Sequence, residues 1–270
     1  TEQLQDAVIA AGGISLLIDA MIASPDSGDI QGYAAEALAN LVINRPQIER
    51  PSEIINVTIA SLAMHGRTHL GATQHALRVL RNLAVSAKFQ MEIAESGGIE
   101  AVATTFFDFE ADCVRMHSGA ALWNICCEPR NRLAAVEHGC IEGLLTALRG
   151  KIAEHETLLT NCGALWTVLS IKGTYEKYCT PEILEAVQQI TEANTESPKP
   201  KCILHLNEAL QRKEDPRVIE ARSRGLCSKV TVPRCKPVCG AERQRYCLRD
   251  PCCSAVQNFY SCRTCDGETS

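Results

Sequence analysis

The sequence predicts an all-α protein, a right-handed α-solenoid built from three-helix units. One segment recurs along the chain, as ALANL at 37–41, VLRNL at 79–83, SGAALWNI at 118–125 and GALWTV at 163–168. Asn40, Asn82 and Asn124 are 42 residues apart, and Thr167 follows 43 residues later. We call these four the ladder positions. A fixed period of this length is typical of stacked helical repeats.

A second landmark, a glycine before an apolar helical segment, keeps the same spacing. It occurs at Gly12, Gly97 and Gly139, and each of these glycines is followed two residues later by isoleucine. Gly97 and Gly139 are 42 residues apart, and Gly12 lies 85 residues before Gly97, about two periods. Glycine suits a sharp corner between helices because it tolerates positive φ. Two independent landmarks with one period indicate a true repeat.

The first two units differ at their corners. Unit one is predicted to have helices at 2–11 and 14–23, then a third helix that is capped by Ser27 or Asp29 and runs through Leu41. In unit two, Pro46 and Pro51 replace the glycine corner and break the first helix. Helices are then expected at 54–64 and 71–85.

The later units follow the same order. Helices are predicted at 88–96, 99–109 and 112–126 in unit three, at 130–138, 141–148 and 156–170 in unit four, and at 175–179, 181–193 and 201–211 in unit five. Phe106, Phe107 and Phe109 close the second helix of unit three and are expected in core and loop packing; the alternative is an exposed docking patch. The predicted domains are a solenoid of about five units at 1–215 and a tail at 216–270.

Composition narrows the class of partner and the compartment. The net charge is −5 at pH 7, which does not favour nucleic acid. We find no signal peptide and no apolar run long enough to span a membrane. Seven cysteines lie in helical patterns and are interpreted as buried residues in a reducing compartment, the cytoplasm or alternatively the nucleus. Because Thr1 already lies in a helical pattern, we expect a fragment of a longer chain.

The tail has a different composition. Residues 216–270 contain 10 Lys and Arg against 5 Asp and Glu, and eight of the 15 cysteines. Eight thiolates suffice for two tetrahedral zinc sites. Close ligand spacing occurs at Cys262 and Cys265 and, more loosely, at Cys235 and Cys239. The alternatives are a tail without a stable fold and a disulfide-linked tail.

The repeat resembles a known family. ALANL at 37–41, ALWNI at 121–125 and GGIEAV at 97–102 are similar to the armadillo repeat, and the resemblance covers roughly residues 1–212. The alternative is a HEAT-type solenoid. The resemblance implies that the third helices line a concave groove and that their asparagines hold an extended peptide by its backbone. Asn40, Asn82 and Asn124 would do so here, unless they brace helix ends, and Thr167 interrupts the ladder.

One departure from the family concerns tryptophan. Importin-type members place a tryptophan four residues before the ladder asparagine, where this chain has Glu36, Arg78, Ala120 and Gly163. Trp123 and Trp166 instead adjoin the ladder positions, about 100° away on a helix, and are expected in the core. Binding of nuclear-localisation signals in the importin manner is therefore disfavoured.

Several charged side chains accompany the ladder. Glu36, His75, Arg78, Arg81 and His117 are expected near the groove floor, where the basic ones favour an acidic or polar ligand; the alternative is an ordinary solvated face. With Asn40, Asn82 and Asn124 they form the candidate partner-binding set.

Catalytic signatures are absent from the sequence. It contains no phosphate-binding glycine loop, Gly-x-Ser-x-Gly or His-Glu-x-x-His motif, and Cys126 and Cys127 are interpreted as buried helix residues. The sequence therefore predicts a non-enzymatic scaffold without a cofactor that binds another protein in its groove.

The tail suggests one alternative function. Residues 258–265 (NFYSCRTC) resemble the opening of the UBR box, a zinc module of some ubiquitin ligases, although the later ligands of that box are missing. The alternative is a substrate-selecting component of a ubiquitin ligase with a C-terminal zinc module. A second alternative is a structural subunit of a cytoskeletal or axonemal assembly.

Overall fold

The computed structural model describes residues 2–45, 47–108, 111–149, 155–170 and 180–193, together with Glu208. The first two units consist of α1 (Glu2–Ala10), α2 (Gly13–Ala23), α3 (Gly28–Val42), α4 (Pro51–His65) and α5 (Leu70–Leu83). The next two consist of α6 (Ala87–Glu95), α7 (Gly98–Asp108), α8 (Asp112–Ile125), α9 (Asn131–Glu137), α10 (Cys140–Ala147) and α11 (His155–Leu169). In unit five, α12 (Pro181–Ala193) is described, whereas the predicted helices at 175–179 and 201–211 and the tail at 216–270 lie outside the described residues.

The helices stack in layers by their place in the unit. The third helices pack in the order α3, α5, α8 and α11, and the second helices pack in the order α2, α4, α7 and α10. Each unit therefore covers the apolar face of its neighbour, as expected for a solenoid. The predicted α-solenoid is confirmed.

The glycine corners take the predicted conformation. Gly12, Gly97 and Gly139 have φ of 81°, 85° and 73°, in the left-handed region that glycine adopts without steric cost. Unit two keeps this corner without glycine, because Arg50 has φ of 52° and Pro51 begins α4. The helix begins three residues before the predicted start at Ile54, because proline is well suited to the first turn of a helix. The left-handed Arg50 was not predicted.

The core runs through all four described units. Leu38, Leu80, Leu122 and Leu165 occupy one repeat position on the third helices, and each is 0% exposed. Equivalent leucines thus meet along the stack and form one continuous apolar layer. The predicted cap is also present, since the Ser27 side chain accepts a hydrogen bond from the backbone N–H of Ile30.

Aromatic residues follow the core prediction with one exception. Trp123 and Trp166 are each 7% exposed and belong to the core, as predicted. Phe106 is buried, but Phe107 is 56% exposed, so the core assignment of Phe107 was wrong. Consecutive helix residues point in directions about 100° apart, and only one of the pair reaches α10, where its ring adjoins Gly143. Phe109 lies outside the described residues.

The cysteines of the helices are packing residues. Cys126, Cys140 and Cys162 are buried, and Cys127 is half-buried. Burial raises the pKa of Cys127 to about 11 and that of Cys140 to about 12. These groups therefore remain neutral thiols at pH 7 and are poor nucleophiles.

No single described helix is both long and apolar enough to cross a bilayer. The pair α1 and α2, which are bent by 67° relative to each other, together have the length and the apolar composition of a span.

A candidate partner-binding surface on the third helices

The ladder positions lie near the ends of the third helices and differ in exposure. Asn40 on α3 is exposed and Asn82 on α5 is half-buried. Asn124 on α8 is 2% exposed, and Thr167 on α11 is 1% exposed. We call the line through these four residues the ladder surface. The ladder surface is accessible to solvent at Asn40 and Asn82 and is buried at Asn124 and Thr167.

Two ladder asparagines join neighbouring units. Asn82 Nδ2 donates to the carbonyl oxygen of Ala39 at 2.9 Å, and Asn124 Nδ2 donates to that of Arg81 at 3.0 Å. Both bonds end on the residue just before the preceding ladder position. The asparagines therefore brace adjacent third helices, as one sequence interpretation had it. An asparagine amide has two donors and one acceptor, so each bond leaves further hydrogen-bonding groups, which are accessible at Asn82 and buried at Asn124. Peptide contact stays a prediction.

The fourth ladder position behaves differently. Thr167 Oγ1 donates to the Gly163 carbonyl oxygen at 2.8 Å within its own helix. The tie from α11 to α8 comes instead from Asn161, whose Nδ2 donates to the Arg115 carbonyl oxygen at 3.1 Å. The interruption of the ladder at Thr167 was predicted. Asn161 was missed because it lies off the 42-residue pattern.

The predicted basic residues come together on α5 and α8. Arg78 Nη2 donates to Asn40 Oδ1 at 3.1 Å, and Arg78 Nη1 lies 3.1 Å from His75 Nδ1. Arg81 Nη1 lies 3.4 Å from His117 Nδ1, and Arg81 Nε donates to Asn82 Oδ1 at 3.4 Å. We call Arg78, Arg81, His75 and His117 the α5 basic cluster. Its guanidinium groups thus contact the two accessible ladder asparagines directly.

The imidazoles of this cluster are neutral at pH 7. Burial, followed by the positive charges of Arg81 and Arg78, lowers the pKa of His117 to about 3. Burial also lowers the pKa of His75, although Glu36 opposes this. Each neutral Nδ1 can therefore accept a hydrogen bond from the neighbouring arginine. The positive charge of the cluster is that of its two guanidinium groups.

Arg81 occupies a repeat position that carries tryptophan in later units. The equivalent residues, 42 and 85 positions on, are Trp123 and Trp166. The Trp123 ring lies against α11, where a Cβ on Gly163 would come within 2.5 Å of Cζ3. Arg81 reaches from α5 to α8 in the same direction, and burial lowers the pKa of its guanidinium. Arg81 is half-buried because its side chain lies between α5 and α8.

Carboxylates border the cluster without neutralising it. Glu36 Oε2 is 4.0 Å from His75 Nε2, and its side chain is 47% exposed. Glu156, exposed on α11, acts on Arg81 only at longer range. Among the described residues, no carboxylate oxygen lies within 4.0 Å of a nitrogen of Arg78 or Arg81.

The ladder surface has no group of metal-ligating side chains among its described residues. Within the described ranges, no three His, Cys, Asp or Glu side chains are grouped so that they could hold a metal ion. The predicted ligands Cys235, Cys239, Cys262 and Cys265 lie outside the described residues. A zinc module in the tail stays a prediction.

Comparison with known proteins identifies the fold. No protein-family model and no curated protein matches the chain. An engineered protein of known structure matches with 20% identity and a TM-score of 0.62, over 82% of this chain and 85% of its own. A computationally designed armadillo repeat protein for modular peptide recognition matches with 15% identity and a TM-score of 0.62, over 80% and 86%. A designed armadillo repeat protein in complex with the peptide (KR)4 matches with 16% identity and a TM-score of 0.55, over 72% and 86%.

These matches place the chain in a structural class. The described helices form an α-solenoid of armadillo-type three-helix repeats, as the sequence resemblance implied, rather than a HEAT-type array. At identities of 20% or less the similarity defines the fold alone.

Proposed function

We propose that this protein is a non-enzymatic interaction scaffold whose ladder surface binds an extended segment of a partner protein. The observation that carries the proposal is the alignment of Asn40, Asn82 and Asn124 across three successive third helices. Two structurally similar designed proteins are described by peptide recognition or by a bound peptide, which supports this use of the fold.

The spacing of the ladder suits an extended peptide. Packed helices lie about 8–10 Å apart, and an extended chain advances about 3.3 Å per residue. Two to three peptide residues therefore separate contacts on adjacent units. The exposed Asn40 amide and the half-buried Asn82 amide can each pair with a peptide group, because they offer both donors and an acceptor.

The test needs a variant that affects binding and a control that affects only the stack. Asn40→Ala with Asn82→Ala removes the accessible ladder amides. Asn131→Ala is the control, since Asn131 Nδ2 also ties helices together, donating to the Gln90 and Ile125 carbonyl oxygens at 2.9 Å, but is located at the first helices. We expect the ladder variant to weaken partner binding about tenfold and the control to leave it unchanged.

Crosslinking locates the bound segment independently. A photoreactive benzoylphenylalanine replaces either Ala37, half-buried on α3 beside the ladder, or Leu133, which is 44% exposed on α9. The partner is expected to crosslink at position 37 and not at position 133. Crosslinking at position 133 alone, or unchanged affinity of the ladder variant, would show that the scaffold binds elsewhere.

A further inference from the structure

We infer that the α5 basic cluster is an anion site that receives one carboxylate or phosphate side chain of the bound segment. The inference rests on the proposed function and specifies its ligand as an acidic peptide. The anion would pair with the guanidinium groups of Arg78 and Arg81, between the Asn40 and Asn82 amides that their nitrogens already contact.

Arg78 and Arg81 differ from Arg45 and Arg130, each of which has a carboxylate partner. Arg45 pairs with Asp6 at 2.5 Å, and Arg130 pairs with Glu128 at 2.8 Å. By contrast, the hydrogen-bond acceptors of Arg78 and Arg81 are neutral within the described part of the chain: two asparagine oxygens, two imidazole nitrogens and the Met116 sulfur.

Partial burial makes the absence of a carboxylate partner energetically unfavourable. Arg78 and Arg81 are both half-buried residues, and burial lowers the pKa of the Arg81 guanidinium. Arginine nevertheless stays charged at neutral pH. A partly desolvated charge without a counter-ion is unfavourable, and a bound anion relieves the cost because Coulomb attraction strengthens where water is partly excluded.

The geometry favours an oxyanion of peptide origin. Arg78 and Arg81 are three residues apart on α5 and therefore lie on one face, a single turn apart. Guanidinium groups present paired N–H donors that match the oxygens of a carboxylate or phosphate. A peptide backbone held at Asn40 and Asn82 passes directly over this face.

Position selectivity follows from the neighbouring carboxylates. Glu36 lies beside the cluster on α3, and Glu156 lies on the α11 side. An acidic side chain is attracted at the cluster and repelled at both flanks. The site is therefore matched to an isolated anionic residue better than to a continuous acidic run.

Isothermal titration calorimetry with the full chain tests the inference. The probes are serine octapeptides in which one central residue is glutamate, glutamine, lysine or phosphoserine. We expect the glutamate peptide to bind about tenfold more tightly than the glutamine peptide, because charge-assisted hydrogen bonds are stronger than neutral ones. The double variant Arg78→Gln, Arg81→Gln should reduce this ratio below about twofold.

A matched variant controls for net charge. Arg130→Gln with Arg149→Gln removes two positive charges from exposed sites outside the third helices and should retain the tenfold ratio. Since Arg81 is half-buried and its replacement can affect folding, Arg78→Glu alone is the second variant. It should reverse the preference in favour of the lysine peptide.

Each outcome has a defined meaning. Tighter binding of phosphoserine than of glutamate assigns the site to a phosphorylated segment, and the reverse assigns it to a carboxylate. If the glutamine or lysine peptide binds as tightly as the glutamate peptide, or if none of the four binds, the anion site is wrong. The scaffold is judged separately, by crosslinking of the natural partner at position 37.

Discussion

The ladder surface is open over the first two units and closed over the next two. Asn40 is exposed and the Glu36 side chain is 47% exposed, whereas the equivalent Asn124 is 2% exposed. On α11, residues 157–169 are all buried. The same repeat geometry therefore yields a surface in one half and an interior in the other. The halves also differ in the side chains on equivalent turns.

Two repeat positions show this difference. The position four residues before the ladder holds Glu36 and Arg78 in the first units but Ala120 and Gly163 in the later ones. The adjoining position changes from Ala39 and Arg81 to two tryptophans. A small residue on α11 admits the Trp123 ring, so packing replaces charge. Accessible charged side chains and inter-helix packing thus dominate different halves of one layer.

The largest effect that should separate the halves comes from Trp123. Replacing Trp123 with alanine removes a ring that packs against Gly163 and leaves a cavity, so we expect the free energy of unfolding to fall by about 3–5 kcal/mol. Urea unfolding followed by circular dichroism measures it. Tyr33→Ala, at a side chain that is 73% exposed on α3, should change stability by less than about 0.5 kcal/mol. Equal losses would contradict the division into open and packed halves.

The second effect is a pH dependence at the boundary between the halves. The folded-state pKa of His117 is about 3, below its ordinary value, because of burial and of Arg81, Arg78 and His75. The unfolded state therefore binds more protons below about pH 6.5, and stability that is complete above this pH is lost as pH falls toward 3. From pH 7.5 to 5 the loss is about 2 kcal/mol.

His117→Gln isolates this titration from that of the carboxylates. Glutamine has no proton to gain, so the variant should lose about 1–2 kcal/mol less than the natural protein over the same pH interval. Urea unfolding at both pH values gives the difference. Parallel pH profiles for the two proteins would show that His117 is protonated as readily in the folded state as in the unfolded one.

The smallest effect compares equivalent asparagines. Asn124→Ala leaves the Arg81 carbonyl oxygen without its side-chain donor in a buried setting and should cost about 1–2 kcal/mol. Asn40→Ala removes an exposed contact with Arg78 and should cost less than about 0.5 kcal/mol. Chemical unfolding of both variants provides the measurement. A larger loss at Asn40 would contradict the gradient of burial along the ladder.

The period of the sequence was sufficient to predict the units and the ladder, because repeats place equivalent residues at equivalent backbone positions. It could not reveal the depth of each position, since burial depends on neighbouring units. Asn124 and Asn40 are the same residue in the same local sequence context, yet only one is exposed. The grouping of Arg78, Arg81, His75 and His117 was predicted from spacing. The absence of a carboxylate partner at Arg78 and Arg81 among the described residues was not.

A second ladder escaped prediction for a different reason. Gln90 Nε2 donates to the Ala84 carbonyl oxygen and Arg132 Nε to that of Cys126, both at 2.9 Å and at positions 42 residues apart. Glutamine and arginine are different residue types, yet both donate the equivalent hydrogen bond here. A repeat pattern based on residue identity therefore does not reveal this pair, whereas a pattern based on side-chain hydrogen-bond donors does.

The location of the two indoles has a practical consequence. The chain has two tryptophans, and both belong to units three and four. Intrinsic tryptophan emission therefore reports on units three and four of the solenoid, whereas far-ultraviolet ellipticity reports on every helix. Recording both signals during one thermal scan compares the melting of the two ends without any label, and the offset between the curves measures how strongly the repeats are coupled.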